Sequence, residues 1–189
     1  MEHFKNLLIV GGTGRNTGKT ELVCILISKM SRQRRIYGAK TTEIAPEKCE
    51  IMANTLSANN GWCIFEEKSR NSGKDTARML QAGAHRVYYL QSSDENVAEG
   101  FLELLRLLPE NTPLICESNS LAEHLKPGLF LVVTRGEGTD KKHRDRLSKA
   151  DAIFISDGCS GFAEADEIRF SSEGWLKKPD CTTSLKNDG

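Results

Sequence analysis

The sequence has no net charge of either sign, since 26 lysine and arginine residues balance 26 aspartate and glutamate residues. Without an excess of positive charge there is no basic field to hold a nucleic-acid backbone by counterion release, which excludes nucleic acid as the main partner. The chain also lacks a long hydrophobic run: no stretch approaches the roughly 18 apolar residues of a membrane span. We therefore expect a cytoplasmic protein that is neither secreted nor bound to a membrane.

The six cysteines include no CxxC pair. Several lie inside apolar runs that are typical of core elements, so reduced thiols are the simpler expectation. Cys49 and Cys63 both fall in an unusual loop, which leaves a metal or redox role open for them. A soft-ligand metal site, however, generally needs four nearby Cys or His ligands, and none is evident.

Alternation of short apolar runs with longer helical stretches predicts an α/β fold with a mainly parallel sheet flanked by helices in three layers. The length of 189 residues fits one domain. The predicted strands are 5–11, 36–41, 86–91, 113–118, 128–134 and 151–156, and the predicted helices are 20–35, 74–83, 93–108 and 139–149.

Two regions do not follow this pattern. The loop at 42–73 is long for a connection between strand and helix, as expected of an insertion, and its residues 62–67 could add an edge strand. After residue 160 the chain becomes polar and weakly periodic. We expect a domain at 1–160 and a polar C-terminal extension at 161–189 whose end is disordered.

The stretch "GGTGRNTGKTEL", residues 11–22, follows the first strand and opens the first helix, which is the context of a phosphate-binding P-loop. Lys19 would reach the terminal phosphates, and the Thr20 hydroxyl would bind Mg²⁺. The strict pattern GxxxxGK[ST] would place glycine at position 13, where Thr13 stands, so the motif is a variant. The candidate nucleotide-binding residues here are Gly12, Thr13, Gly14, Arg15, Asn16, Thr17, Gly18, Lys19, Thr20 and Glu21.

Three further residues are candidates because of where they stand. Lys40 and Glu117 each end a predicted strand, and ligands bind beyond the carboxyl ends of parallel strands. Asp75 begins a helix, where it could cap backbone amides or orient metal-bound water. Lys19, Asp75 and Glu117 are therefore candidate catalytic residues, with Asp75 and Glu117 also candidate metal ligands beside Thr20. The charged stretch 141–146 is interpreted as the solvated face of a helix.

The chain resembles P-loop GTPases of the MobB family, adaptor proteins of molybdopterin-guanine dinucleotide biosynthesis. The resemblance rests on "GKTEL" in the loop, on "GAKTT" at the end of the second strand, and above all on "GKDTARMLQAGA" at 73–84. It implies that Lys40, Asp75 and Glu117 line a site for Mg²⁺ and GTP. It also implies slow hydrolysis, a role in molybdenum cofactor biosynthesis, a molybdopterin-nucleotide transferase as partner, and a homodimer.

Departures from the family keep alternatives open. A histidine-rich stretch of the family is absent after Lys40, and the glycine that follows the strand-end Glu is replaced by Ser118. The loop is also similar to that of dethiobiotin synthetase and the cobyrinic acid amide synthases, which are ATP-dependent ligases that phosphorylate a carboxylate. No Asn-Lys-x-Asp motif reads guanine, although Asp157 could accept from a guanine edge. A nucleotide-gated binding protein with little turnover is the third alternative.

Overall fold

A computed structural model describes residues 2–45, 54–59, 61–136, 141–158 and 161–178, and of the side chains within 141–149 it describes those from Asp145 onward. Its helices are α1 (Lys19–Ser31), α2 (Asp75–Gln81), α3 (Val97–Arg106), α4 (Leu121–His124) and α5 (Lys141–Lys149). Its strands are β1 (His3–Gly12), β2 (Tyr37–Glu43), β3 (Thr55–Asn59), β4 (Trp62–Glu66), β5 (Arg86–Ser92), β6 (Leu114–Glu117), β7 (Lys126–Thr134), β8 (Ala152–Ile155), β9 (Ile168–Ser171) and β10 (Gly174–Lys177).

The first eight strands form one mixed sheet in the order β3-β4-β5-β2-β6-β1-β7-β8. Pairing is parallel from β5 to β8, and only the pairs that β4 makes with β3 and β5 are antiparallel. The prediction of a mainly parallel α/β sheet is confirmed. The strand predicted at 62–67 is also present, but the prediction that it is an edge strand is wrong because β3 pairs outside it.

Two apolar layers cover the sheet, which is compatible with a three-layer fold. On one face, α1 buries Leu22, Val23, Leu26 and Ile27 in a cluster with Leu8 and Val10 of β1. On the other face, Phe101 and Leu104 of α3 and Leu121 of α4 pack with Ile9 and Leu7. From residue 7 onward β1 is buried on both faces, which explains why residues 7–10 are continuously apolar rather than alternating.

Residues 161–178 form a 3-10 helix and the hairpin of β9 and β10. Trp175 is only 4% exposed and belongs to the α1-side cluster, and its indole N–H donates to the Asn6 carbonyl at 2.8 Å. The Phe170 ring packs edge-on against Trp175 with the ring centroids 5.0 Å apart. This part of the polar extension therefore packs on the amino-terminal half of β1. The predicted disorder at the very end lies outside the described residues.

Two of the cysteines are free thiols and a third is not. Cys24 and Cys116 are free, and burial raises the pKa of the Cys24 thiol to about 11. Burial also raises the pKa of the Cys116 thiol well above its ordinary value. Cys63 is disulfide-bonded, so the expectation of reduced thiols is wrong there, and Cys49, Cys159 and Cys181 lie outside the described residues. No helix in the described ranges is long and apolar enough to cross a membrane.

Candidate functional site

A glycine-rich loop, residues 11–18, joins β1 to α1 along a path that requires glycine at two positions. A Cβ on Gly12 would lie 2.6 Å from Thr17 Oγ1 and 2.8 Å from Lys19 Cδ. Gly18 has a φ of 96° directly before α1, in the left-handed region that glycine favours. Asn16 also adopts the left-handed region, with a φ of 56°. The loop therefore folds back on itself tightly, with the start of α1 at its end.

Thr13 connects the loop to the end of β7. Its hydroxyl donates to Thr134 Oγ1 at 3.1 Å, and its backbone N–H donates to the Val133 carbonyl at 3.1 Å. A glycine at this position would keep the backbone hydrogen bond but lose the hydroxyl contact. This gives a structural reason for the departure from the strict glycine pattern.

Two side chains hold the backbone of Gly12, one from the loop before α4 and one from α5. Asn119 Oδ1 accepts from the Gly12 N–H at 3.2 Å, and Arg146 Nη1 donates to the Gly12 carbonyl at 2.8 Å. The Arg146 side chain is only 11% exposed, so the interpretation of 141–146 as a solvated face is wrong at this residue. The sequence of α5 gives no sign of this burial, because one inward-facing arginine cannot be told apart from the other charged residues around it.

The first two residues of α1 lie next to the loop and the end of β6. Lys19 Nζ donates to the Gly14 carbonyl at 2.7 Å, which places its ammonium over the loop. Thr20 Oγ1 donates to Glu117 Oε2 at 2.7 Å. Burial is the largest influence on Lys19, and it lowers the pKa of its ammonium although the nearby Glu117 opposes this.

Lys40 joins the two candidate carboxylates. Its Nζ donates to Asp75 Oδ2 and, at 2.9 Å, to Glu117 Oε1. Burial alone would lower the pKa of Lys40, but the charge of Glu117 and the hydrogen bonds to both carboxylates raise it. Burial alone would raise the pKa of Asp75, but the hydrogen bond and the charge of Lys40 lower it, helped by the charge of Arg78.

Asp75 does not act as a helix cap. Although it begins α2, no side-chain cap bond is made there, and its carboxylate instead pairs with Lys40 and, at 3.6 Å, with Arg78. The helix-cap interpretation of Asp75 is therefore wrong. The structure brings Lys19, Thr20, Lys40, Asp75 and Glu117 together although they come from four separate parts of the chain.

Strand register explains how this cluster is assembled. Glu117 of β6 pairs with Val10 of β1 and with Lys40 of β2, Lys40 pairs with Tyr89 of β5, and Tyr89 pairs with Phe65 of β4. Because partners in register point to the same face of a sheet, these five side chains form one row across five strands on the α1 side. We call it the cross-strand row.

Thr17 is buried inside the loop, with its hydroxyl 3.4 Å from the Gly14 carbonyl, whereas the remaining candidate residues are exposed. Gly14, Arg15 and Asn16 are exposed on the loop, and Glu21 is exposed on the first turn of α1. Asp157, the residue suggested for guanine, is exposed after β8. Its neighbour Ser156 closes on the loop, since a Cβ on Gly18 would lie 3.1 Å from Ser156 Oγ.

Two cavities adjoin the cluster around Lys40 and the side chains that hold Gly12. One of about 410 Å³ lies beside Lys40 and Asp75, between the start of α2 and strands β4 and β5. The other, of about 360 Å³, lies on the opposite face beside Asn119, Arg146 and Phe130. In the described ranges no group of three or more His, Cys, Asp or Glu residues could hold a metal ion.

Comparison with known proteins supplies no relative for this arrangement, because no protein-family model, curated protein or solved structure matches the chain.

Proposed function

We propose that the chain is a P-loop protein that binds a purine nucleoside triphosphate with Mg²⁺, with GTP as the expected nucleotide, and hydrolyses it slowly. One observation carries the proposal: Thr20, Lys40, Asp75 and Glu117 converge next to Lys19 and a tight glycine-containing loop at a helix start. A loop of this kind directs backbone N–H groups at an anion, and the nearby cations would neutralise it.

Each residue then has a distinct role. Lys19 would move from the Gly14 carbonyl to the β and γ phosphates, since its ammonium already lies over the loop. Lys40, whose raised pKa keeps it charged, would add a second cation near the γ phosphate. Both would stabilise negative charge on the transferring phosphoryl group, which is the main contribution that proteins make to this reaction.

The oxygen atoms around Thr20 fit Mg²⁺. The Thr20 hydroxyl and the carboxylates of Asp75 and Glu117 are hard ligands of the type that Mg²⁺ prefers, with few protein ligands and the rest water. When bound, Mg²⁺ would offset phosphate charge. Lys40 currently bridges Asp75 and Glu117, so metal binding requires at least one of these carboxylates to exchange the ammonium for the ion or its water shell.

The choice of GTP and the role in molybdenum cofactor biosynthesis rest on the resemblance of residues 73–84 to the MobB family. The transferase partner and the homodimer rest on the same resemblance and stay predictions. Side-by-side titrations with Mg-GTP and Mg-ATP test the base. Tighter binding of ATP than of GTP would contradict the guanine assignment.

An ATP-dependent, carboxylate-phosphorylating ligase is the second candidate. It is favoured by the cavity of about 410 Å³ that Lys40 and Asp75 share with the proposed phosphate site, since a ligase needs room for an acceptor there. Phosphate release that requires an added carboxylate would support the ligase. Release at the same rate without one would support the simple hydrolase.

Replacement of Lys19 tests the common element of both candidates. We expect Lys19→Ala to weaken Mg-nucleotide binding by about tenfold or more in calorimetry, because a charge-assisted contact of about 1.5–3 kcal/mol is lost. Lys29→Ala, on the same helix but paired with Asp166, is the matched control and should bind normally. Unchanged affinity in Lys19→Ala would overturn the proposal.

A further inference from the structure

The cavity beside Lys40 has an aromatic wall. Phe65 and Tyr89 stand opposite each other on β4 and β5 with ring centroids 6.2 Å apart and planes 34° apart. Phe65 is 4% exposed and supports Tyr89, which is half-buried and presents the larger ring surface. Gln91 Nε2 donates to the Tyr89 hydroxyl at 3.3 Å, which helps fix the ring. Such a wall favours stacking with a planar molecule.

The charges at the cavity are unequal in their availability. The carboxylate of Asp75 is paired with Lys40, and that of Glu67 accepts from Thr76 Oγ1 at 2.7 Å. Lys74 is exposed at the rim, and within the described part of the chain its ammonium makes no hydrogen bond or ion pair. The hydrogen bond from Thr76 occupies a Glu67 oxygen but leaves the negative charge of that carboxylate in place. Lys74 is therefore the cation with which an incoming acidic group would pair, because no carboxylate among the described residues neutralises it.

The cavity also has a defined position relative to the glycine-rich loop. Lys40 lies in the cross-strand row between Glu117, on the side of the loop, and Tyr89, in the cavity. A molecule in the cavity would touch the same ammonium that faces the proposed γ phosphate. The volume of about 410 Å³ falls in the usual range for small-molecule sites.

We propose that this cavity is a second ligand site that takes a small molecule with a planar conjugated ring and one acidic group, bound beyond the terminal-phosphate end of the nucleotide. Its place next to the phosphate rests on the proposed function, whereas its preference for a planar anion rests on Phe65, Tyr89 and Lys74. The ring would stack on Tyr89, and the acidic group would pair with Lys74.

Titration of the full chain with 2-naphthoate, followed by ligand-observed NMR, tests the proposed chemistry. Two molecules serve as matched probes: cyclohexanecarboxylate keeps the charge without the planar ring, and 2-naphthalenemethanol keeps the ring without the charge. We expect 2-naphthoate to bind more tightly than either. Equal binding of all three, or no binding of 2-naphthoate, would overturn the proposal.

Substitutions locate the probe. Tyr89→Leu should weaken 2-naphthoate binding by about three- to tenfold, as expected for loss of an aromatic pair, whereas Tyr89→Phe should retain it. Lys74→Met should weaken it by about two- to fivefold, and Lys126→Met, an exposed lysine on β7, is the control. Thermal unfolding checks that each variant folds. Unchanged binding in folded Tyr89→Leu and Lys74→Met would overturn the assignment to this cavity.

Nucleotide titrations separate this inference from the proposed function. If Mg-GTP and 2-naphthoate bind together, the cavity is a second site, as proposed. If saturating nucleotide displaces 2-naphthoate and Tyr89→Leu weakens both equally, the cavity holds the nucleotide base and the inference fails while nucleotide binding stands. If neither GTP nor ATP binds but 2-naphthoate does, the proposed function fails and the planar-anion site remains.

Discussion

The two ends of the central sheet differ in what their side chains do. At the amino-terminal half of β1, the hairpin of β9 and β10 contributes the buried Trp175 and its hydrogen bond to Asn6. At the carboxyl end, charged groups such as Lys40 and Glu117 meet beside a loop with left-handed residues. Apolar burial stabilises a fold, whereas buried charges add little net stability. Stability and nucleotide binding should therefore respond to substitutions at different ends of the sheet.

The largest effect is expected at the hairpin. Trp175→Ala should lower the free energy of unfolding by about 3–5 kcal/mol, because a large buried ring is removed and its cavity stays partly unfilled. Urea denaturation followed by circular dichroism measures this. Trp175→Phe, which keeps a ring but loses the bond to Asn6, should lose less. Loss of nucleotide affinity in the folded Trp175→Ala variant would contradict the assignment of stability and binding to different ends of the sheet.

A smaller loss of stability is expected at the charged cluster. Lys40→Met leaves the carboxylate of Glu117, whose side chain is 6% exposed, without its ammonium, and should lower the free energy of unfolding by about 1–3 kcal/mol. The same variant should bind Mg-nucleotide more weakly. Adding Glu117→Gln should recover part of the stability but not the binding. Recovery of both would show that Lys40 has only a structural role.

A still smaller loss of stability is expected when the hydroxyl contact between Thr13 and Thr134 is removed from the loop. Thr13→Gly removes the hydroxyl contact with Thr134 and should lower the free energy of unfolding by about 0.5–1.5 kcal/mol. Thr13→Ser keeps the hydroxyl and should retain most of that stability. Urea denaturation of the two variants gives the comparison, and equal stabilities would contradict the role assigned to the Thr13 hydroxyl.

The smallest expected effect is the pH dependence of stability at the charged end of the sheet. The pKa of Asp75 is lowered in the folded protein, so its stabilising effect is present above the unfolded pKa of about 3.9 and is lost as the pH falls through the folded value. The stability difference between wild type and Asp75→Asn should be under about 1 kcal/mol at pH 7, since Asp75 is partly exposed, and should shrink below about pH 4.

The hairpin provides the control for that measurement. The effect of Trp175→Ala involves no ionisable group, so its loss of stability should not follow the titration of Asp75. Urea denaturation at several pH values from about 7 to 3 tests both variants. An Asp75→Asn effect that stayed constant over this range would contradict the pairing of Asp75 with Lys40.

Sequence patterns were sufficient for the elements with strong periodicity. The apolar run of β1 and the position of Glu117 at the end of β6 predicted neighbours at one edge of a parallel sheet. Lys40 was also predicted to end its strand, which is wrong because β2 continues to Glu43, but Lys40 still pairs with Glu117. The hairpin was missed because β9 and β10 are each four residues long and mix polar with apolar residues, which is too short a stretch for a clear alternation. β3, with the sequence "TLSAN", lies at the edge of the described sheet and is mostly exposed. Its sequence is therefore too polar to be recognised as a strand.

Other features depend on contacts that sequence spacing does not encode. Asp75 looked like a helix cap because caps are decided locally, but its pairing with Lys40 comes from a residue 35 positions away. The hydrogen bond from Arg146 to Gly12 spans 134 positions. The contact of Thr13 with Thr134 likewise depends on the register of β1 with β7.

The cross-strand row fixes the distances between its side chains, because each of them stands on a different strand of the sheet. Neighbouring strands lie about 4.8 Å apart, a spacing set by backbone hydrogen bonds rather than by side chains. Glu117 and Tyr89 are two strands apart, with Lys40 on the strand between them, so the span from the proposed phosphate site to the aromatic wall is about two such steps, or 10 Å. A substitution can change which ligand a position binds, but only a change in strand pairing could alter the distance between the backbone positions of Glu117 and Tyr89.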